Sequence, residues 1–436
     1  MKKLVAALAL ACAGLAAAVA MADSGPPGGG TTDTAATTAT ATSATGTTTT
    51  TATTTTTATT GTTPAPAGRT IAYGVADDTP KFADDGGVQF YANLLGAGLT
   101  ENRWTLAFDP ANPTAIDELP FLVHAAPLAQ KAGIRIVLAL YSKKASSHNP
   151  GAFCSWAGFV ASTVAQWGIS EFIVWNEPNT RLYWFPQKNG KGRDVAAPAY
   201  EALLARCYDA IKAANPAATV IGMGLSPRAS TPQSTEPLVF LRDVGKAYRA
   251  SRRTLPLMDQ LAIHPYPNPN NPTDGPSIGY PQADRFGIPN LARVKQAVWD
   301  AFHGTAQPTT VNGLTFRIDE VGWQVDTTGL PGYINPENVH TVSEQTQARY
   351  LAQMVESYFA CDPTVTDVLL FLLVDERFRN GRDATGKFIG GGWQSGLMTA
   401  DGQPRPAYTE MAQLAAAGRA ACTASPVRWA PRHSKG

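Results

Sequence analysis

Two segments of the sequence place a carboxylate directly after an apolar run of strand length. In "FIVWNEPNT", Asn176 and Glu177 follow the run and a proline ends it, and in "FRIDEVGW", Glu320 has the corresponding place. Two carboxylates that meet in one cleft can cleave a glycosidic bond, because one protonates the departing oxygen while the other attacks or stabilises the anomeric carbon. Glu177 and Glu320 are therefore the candidate catalytic pair.

The neighbouring Asp319 is an alternative to Glu320. Side chains alternate between the two faces of a strand, so a register shift of one residue would turn Asp319 inward and Glu320 outward. The two members of the pair also need different surroundings, since one must keep its proton near neutral pH while the other stays ionised.

Segments of strand length alternate along the chain with segments of helical spacing. Several of the apolar runs are almost continuous, which is typical of parallel strands that are buried on both faces. The predicted strands are 70–75, 103–107, 134–140, 172–175, 219–223, 260–264, 315–318 and 368–374.

This alternation predicts an α/β fold, and its repetition to eight strands favours a closed (β/α)8 TIM barrel over an open sheet. In such a barrel, functional groups lie at the carboxyl ends of the strands. Glu177 follows the fourth predicted strand and Glu320 follows the seventh. Both carboxylates would therefore face the same rim.

The first part of the chain predicts export. Residues 1–22 contain paired lysines, an apolar run and a small-residue site, which is the order of a secretory signal peptide, although Cys12 leaves a lipoprotein cleavage site as a poorer alternative. Residues 23–67 form a Thr/Ala-rich linker that has almost nothing to bury, so we expect it to be disordered and a target for O-glycosylation. A single catalytic domain would then occupy 68–424, followed by a tail over 425–436.

Charge and motifs exclude several kinds of partner. The chain has 35 basic and 34 acidic residues, whereas a protein that binds duplex nucleic acid carries a basic excess. No segment after the leader has the apolar length of a membrane span. No GxSxG, HExxH or clustered His/Cys ligand set occurs, so neither a metal nor a cofactor is implied. We expect a secreted, extracellular monomer whose linker spaces the domain from a cell wall or another molecule.

Four cysteines remain after the leader, namely Cys154, Cys207, Cys361 and Cys422. In an oxidising compartment, an even and widely spaced set is typical of disulfides. Cys361 and Cys422 each end a predicted helix in the last third of the chain, which favours their pairing and leaves Cys154 with Cys207.

The residues at the strand ends resemble those of clan A glycoside hydrolases, the retaining (β/α)8 enzymes. The resemblance rests on Asn176-Glu177 after strand four, "IHPY" after strand six and "DEVGW" after strand seven, and it covers residues 69–419, including the closing "SGLMTADGQPRPAY". Families 5 and 39 are the most similar. The resemblance implies a glycosidase that acts on a poly- or oligosaccharide and cleaves β-glycosidic bonds by double displacement.

Carried over to this sequence, the resemblance implies that Glu177 is the general acid/base and Glu320 the nucleophile. Asn176 would bind the sugar hydroxyl next to the anomeric carbon. Arg103, on the second strand, would help to keep Glu320 ionised, because a nearby cation lowers the pKa of a carboxyl group.

Other site residues follow from the same resemblance. His264 and Tyr266 would contact the nucleophile or the sugar. Flat aromatic rings match the C–H faces of a pyranose, and the candidate platforms are Trp184, Trp323 and Trp393. Clan A enzymes usually place a Trp at the end of strand eight, whereas this chain has Asp375 and Glu376 there, to which we assign no role. Trp393 would substitute from the following loop.

Two other functions remain open at this stage. A carbohydrate-binding barrel without turnover would keep the fold, because fold alone does not imply activity. A transglycosylase would use the same covalent intermediate with a sugar as acceptor. The glycan, its linkage and the choice between endo and exo action are not determined by the sequence.

Overall fold

The computed structural model describes residues 70–146, 148–336, 339–379 and 392–432. The predicted signal peptide, the predicted linker and the last four residues of the predicted tail lie outside these ranges. Within them, no helix is both long enough and apolar enough to span a bilayer.

Eight strands form the centre of the fold. In chain order they are β1 (Ala72–Ala76), β2 (Glu101–Phe108), β3 (Arg135–Ser142), β4 (Glu171–Val174), β5 (Thr219–Leu225), β6 (Gln260–Ile263), β7 (Thr315–Val321) and β8 (Val365–Leu370). Each strand pairs in parallel with its neighbours in sequence, and β8 pairs with β1 to close a barrel. Every strand overlaps one predicted from the sequence, so the predicted barrel is confirmed.

Helices connect the strands and cover the outside of the barrel. They are α1 (Thr79–Phe82), α2 (Val88–Gly96), α3 (Leu119–Lys131), α4 (Pro150–Val164), α5 (Ala196–Ala214), α6 (Pro237–Ser251), α7 (Leu291–Phe302), α8 (Glu344–Met354) and α9 (Pro406–Ala417). Their buried apolar residues pack on the outward side chains of the strands in one continuous core. Both faces of the strands are thus buried, which accounts for their nearly continuous apolar sequence.

The inside of the barrel is filled in layers. At the amino-terminal end, the Arg317 guanidinium forms ion pairs with Glu101, Glu171 and Asp367, which come from three other strands. The next layer is apolar and consists of Val137, Ala139, Ile173, Ile221 and Ala262. This dry layer separates the charged floor from the polar side chains at the carboxyl-terminal mouth.

Two disulfides join the elements around the barrel. Cys154 in α4 is bonded to Cys207 in α5, and Cys361 is bonded to Cys422 near the end of the described chain. These are the predicted pairings. The first bond ties together the helices on either side of β4, the strand that leads to Glu177.

Candidate active site

Glu177 is presented by an irregular turn directly after β4. Trp175 continues the β3 ladder through its N–H, which donates to Leu140 O at 2.7 Å. The backbone is left-handed at Trp175 (φ 76°) and at Glu177 (φ 43°), conformations that cost about 1–3 kcal/mol each and are concentrated at functional sites. The Glu177 N–H donates to Gly224 O on β5 at 3.0 Å, which holds the turn in place.

Glu320 lies inside β7, which runs on to Val321 rather than ending at residue 318 as predicted. Pairing with β8 shifts register between Ile318 and Val321. This irregularity lets consecutive side chains face the barrel mouth, so Asp319 and Glu320 both point inward. The expectation that only one of these two side chains faces inward is wrong. Asp319 is fully buried, whereas the Glu320 side chain is 14% exposed and accessible from the mouth.

Arg103 on β2 connects the candidate catalytic residues. Its Nη1 donates to Glu320 Oε1 at 2.7 Å, and its Nη2 donates to Asn176 Oδ1 at 3.0 Å. Its Nε lies 3.3 Å from Asp319 Oδ2. Burial would raise the pKa of Asp319, but Arg103 together with His264 outweighs it and holds that pKa below its usual value. A buried cation is thus balanced by two carboxylates.

His264 follows β6 and is fully buried between carboxylates. Its Nδ1 lies 3.1 Å from Glu177 Oε1 and 3.7 Å from Glu320 Oε2, and its Nε2 lies 3.1 Å from Asp319 Oδ2. Burial works to lower the pKa of His264, but Glu320, Asp319 and Glu177 outweigh it and raise the pKa to about 10. At neutral pH the ring is an imidazolium that donates to Glu177 and to Asp319.

This charge state predicts a pH-dependent stability. Between the ordinary histidine pKa of 6.5 and about 10, the folded protein holds a proton on His264 that the unfolded chain releases. The free energy of unfolding should therefore fall as the pH rises through this window, by on the order of 2–4 kcal/mol from this group. Urea unfolding at pH 6.5 and pH 9.5 should show a shallower decline for His264→Gln than for wild type.

The matched control for that measurement is His124→Gln, which removes an exposed histidine on α3. We expect its pH dependence to equal that of wild type. The same decline in wild type and His264→Gln would show that His264 does not carry the extra proton in the folded protein.

Tyr266 completes the surroundings of Glu320. Its hydroxyl donates to Glu320 Oε2 at 3.2 Å, while Arg103 donates to Oε1, so both carboxylate oxygens have a donor. Burial, reinforced by the charges of Glu320 and Glu177, raises the pKa of Tyr266 well above its usual value. The phenol therefore stays protonated and remains a donor. The two donors fix the plane of the Glu320 carboxylate.

The structure thus brings six of the predicted site residues into one connected network, namely Arg103, Asn176, Glu177, His264, Tyr266 and Glu320. His264 Nδ1 contacts an oxygen of Glu177 at 3.1 Å and lies 3.7 Å from an oxygen of Glu320. The Glu177 and Glu320 oxygens are therefore at most about 6.8 Å apart. The two carboxylates therefore open into the same mouth and border the same small space.

Comparisons with known proteins concern the fold. No protein-family model and no curated protein matches the chain. Among solved structures, it is similar to a family 39 glycoside hydrolase from Bacteroides cellulosilyticus WH2, with a TM-score of 0.52 and 18% identity over 80% of this chain and 64% of that one. A monomeric β-xylosidase from Caulobacter crescentus CB15 gives a TM-score of 0.50 and 17% identity, covering 79% of this chain and 68% of that one.

A family 5, subfamily 18 glycoside hydrolase from Streptomyces cattleya, solved with GlcNAc, gives a TM-score of 0.52 and 15% identity, with 82% of each chain covered. The chain shares the (β/α)8 barrel fold of these glycoside hydrolases. It spans less than two thirds of the length of the Bacteroides protein. At these identities the likeness concerns the fold alone.

Two of the three tryptophans predicted as sugar platforms do not have that role. Trp184 is fully buried, with its ring stacked on His148 at 4.0 Å and packed edge-on against Trp175. Trp323 is 1% exposed, and its Nε1 donates to Asp274 O at 2.9 Å. Neither ring has a free face for a sugar, so both predictions are wrong.

Trp393, the third predicted platform, packs against other aromatic side chains near the mouth. It is half-buried, and its ring lies 5.8 Å from Tyr266 and 5.4 Å from Phe371, which directly follows β8. Tyr266 donates to Glu320, so a single side chain connects Trp393 to the candidate nucleophile. Its use as a sugar platform stays a prediction.

The acidic pair after β8 supports the loop that carries Trp393. Asp375 is buried and accepts hydrogen bonds from Arg405 and Tyr333 at 2.6 Å each. Glu376 Oε2 accepts from the Trp393 N–H at 2.7 Å, and burial raises the pKa of Glu376 to about 7. Within the described ranges, no group of three or more His, Cys, Asp or Glu side chains could hold a metal ion.

Sequence reasoning missed the role of Asp319 as a buried partner of Arg103 and His264. The adjacent acidic residues in "RIDEVGW" were the available signal. Two successive carboxylates in a buried strand indicate either one outward side chain or an irregular strand, and only the pairing with β8 decides between them.

Proposed function

We propose that the protein is a glycosidase that cleaves β-glycosidic bonds with retention of configuration, with Glu177 as acid/base and Glu320 as nucleophile. The observation that carries the proposal is the meeting of Glu177 and Glu320 at one histidine in the mouth of the barrel. The fold likeness to glycoside hydrolases, among them a β-xylosidase, supports it.

The surroundings of Glu320 suit a nucleophile. In the first step, a Glu320 oxygen forms a bond to the anomeric carbon while the bond from that carbon to the departing oxygen breaks. Arg103 and Tyr266 orient the attacking carboxylate through both of its oxygens. Asn176 Oδ1 is occupied by Arg103, which leaves the Nδ2 donor of that amide for the neighbouring sugar hydroxyl.

The surroundings of Glu177 suit a group that gives and then recovers a proton. The proton on His264 Nδ1 is adjacent to Glu177 Oε1, at a heavy-atom distance of 3.1 Å. As the acid, Glu177 gives its proton to the departing oxygen, and the His264 N–H donates a hydrogen bond to the carboxylate that is left. In the second step, Glu177 takes a proton from the attacking water, which restores the acid. Asp319 holds the imidazole in place through Nε2 at 3.1 Å.

The separation of the carboxylates favours retention over inversion. A retaining pair is about 5–5.5 Å apart, whereas an inverting pair needs roughly 6.5–9.5 Å so that a water molecule fits between carboxylate and sugar. Because His264 Nδ1 lies 3.1 Å from Glu177 Oε1 and 3.7 Å from Glu320 Oε2, these two oxygens are at most about 6.8 Å apart, which excludes all but the lower end of the inverting range.

The experiment that tests this function combines a substrate panel with product stereochemistry. Purified protein would be incubated with β-linked plant, fungal and bacterial polysaccharides and with 4-nitrophenyl β-glycosides, and the first anomer released would be followed by proton NMR. We expect the β-anomer to form first. First formation of the α-anomer would rule out double displacement, and glycan binding without any release would favour the carbohydrate-binding alternative.

We further propose that the chain is exported and that a single catalytic domain over 68–424 follows the linker. The two disulfides are compatible with an oxidising compartment, and the charge and composition of residues 1–22 support a secretory signal. Mass spectrometry of the N terminus of the exported protein tests this. A transglycosylase would use the same intermediate and would be recognised by transfer products at high sugar concentration.

A further inference from the structure

A cavity lies between the loops that follow β4 and β5. Its volume is about 320 Å³, and its lining includes Arg181, Phe185, Gln187, Lys188, Pro232 and Gln233. Arg181 follows directly on the turn that contains Glu177, where the Thr180 N–H donates to Glu177 O at 2.9 Å. The cavity is therefore lined by the loop that carries the candidate acid/base.

The walls of the cavity are held by buried amides. Gln187 is 2% exposed, and its Nε2 donates to Pro178 O at 2.7 Å and to Trp184 O at 3.0 Å. Asn179 is fully buried, and its Oδ1 accepts from the Ser226 N–H at 3.1 Å, which joins the two loops. A ligand would thus meet a shape that is already formed, which lowers the entropy cost of binding.

The charge of the cavity is positive. Its lining contains Arg181 and Lys188 and no carboxylate. Arg181 lies over the Phe185 ring at 5.1 Å, and Lys188 Nζ reaches Pro232 O at 3.4 Å. In the part of the chain that the structure describes, neither cation has a carboxylate within ion-pair distance. Two cations without counter-charges at one cavity favour an anionic ligand.

The position of the cavity indicates which part of a substrate would reach it. In a displacement, the nucleophile approaches the face of the sugar opposite to the departing oxygen, and the acid must contact that oxygen. The leaving part of the substrate therefore lies on the Glu177 side of the mouth, away from Glu320. The lining residues Arg181 to Lys188 belong to the loop that follows Glu177, which puts the cavity on that side.

We infer that this cavity is a leaving-group subsite for a sugar residue that carries a carboxylate, a uronic acid. The planar guanidinium of Arg181 matches a carboxylate with two hydrogen bonds, and Lys188 adds a second charge. Phe185 is 44% exposed and offers a ring face to the sugar. This inference rests on the proposed function, which defines the leaving-group side, and it makes an acidic β-linked glycan the substrate.

Binding of two trisaccharides that differ only at carbon 6 tests the inference. The probes are β-1,4-linked glucuronic acid trisaccharide and cellotriose, and the measurement is isothermal titration calorimetry on the full chain at low salt, with Glu320→Gln added to every protein compared so that the probes are not cleaved. We expect wild type to bind the acidic trisaccharide about tenfold more tightly, since a charge-assisted contact of this kind is worth roughly one factor of ten. The Arg181→Gln/Lys188→Gln double variant should lose this preference.

The control double variant is Lys131→Gln/Lys246→Gln, which removes the same charge from exposed positions on α3 and α6 and should keep the preference. Equal affinity of wild type for the two probes, including no binding of either, would overturn the inference. So would a preference that survives in the Arg181/Lys188 double variant.

A second readout separates this inference from the proposed function. Wild-type hydrolysis of a 4-nitrophenyl β-glycoside, which contains no uronic acid, reports the glycosidase activity independently of the trisaccharide preference, and the Lys131→Gln/Lys246→Gln control should hydrolyse it at the wild-type rate. If wild type cleaves no aryl glycoside but still prefers the acidic trisaccharide, the glycosidase proposal fails and the anionic site stands. If wild type cleaves the aryl glycoside but does not prefer the acidic trisaccharide, the anionic site fails and the glycosidase proposal stands.

Discussion

Glu320→Gln is expected to lower kcat/KM by at least about 10⁴-fold, the order of loss that follows removal of a covalent nucleophile. The amide has the size of the carboxylate and can still accept from Arg103, so the fold should be kept. It cannot form the glycosyl ester, and it removes a negative charge beside His264. Initial rates on the best aryl glycoside of the panel measure the loss, with Glu410→Gln on α9 as a control that should keep wild-type rates.

A smaller variant at the same position tests the chemistry more directly. Glu320→Ala leaves space where the nucleophile was, so added azide should restore part of the rate by attacking the anomeric carbon in its place. The nitrogen–carbon bond forms as the bond to the departing oxygen breaks, which gives a glycosyl azide of inverted configuration. Retention of more than a few per cent of activity in Glu320→Gln would exclude Glu320 as the nucleophile.

The barrel could be predicted from the sequence because its signal is repeated and local. Strands that are buried on both faces are mostly apolar, and "IVLAL" or "VIGMGL" stand out for that reason. The ends of the strands were less certain: β8 ends at Leu370 although the apolar run continues to Val374. Beyond Leu370 the chain leaves the ladder, and Asp77 Oδ2 accepts the N–H groups of Leu373 and Val374 instead.

The candidate site was predictable where residue type and strand end coincide, as for Glu177, His264 and Glu320. It was not predictable where packing decides. Trp184 and Trp323 have the same composition signal as Trp393, yet only Trp393 keeps an exposed part, because the other two are surrounded by side chains from distant segments. Long-range packing of this kind leaves no mark in the local sequence.

Contacts between distant segments also determine the irregular backbone at the mouth. A regular β7 would turn either Asp319 or Glu320 outward, and a regular β4 would continue past Trp175 without the left-handed turn at Glu177. Both departures place charged groups around His264. The positive charge of its ring then compensates the negative charges of Glu177 and Asp319, which it contacts. Strained backbone and buried charge are each costly, and together they form one pre-organised polar network.

Glu177→Ala should divide substrates by their leaving groups. For glycosides of poor leaving groups, the departing oxygen needs a proton, and we expect kcat/KM to fall by about 10²–10⁴-fold, the usual contribution of general acid catalysis. For 2,4-dinitrophenyl glycosides, whose phenolate leaves without protonation, kcat/KM should stay within about tenfold of wild type. Comparison of the two substrate classes on one enzyme preparation corrects for any loss of folded protein.

The same variant should also reveal the covalent intermediate. Glu177 is proposed to deprotonate the water that attacks in the second step, so its removal slows release of the sugar from Glu320 even when formation of the intermediate is fast. Mixing Glu177→Ala with a dinitrophenyl glycoside should then give a burst of phenolate close to the enzyme concentration, followed by slow turnover with a lowered KM. Mass spectrometry of the quenched enzyme should find one sugar residue on Glu320. Equal losses on both substrate classes without a burst would mean that Glu177 supports the shape of the mouth and does not transfer the proton.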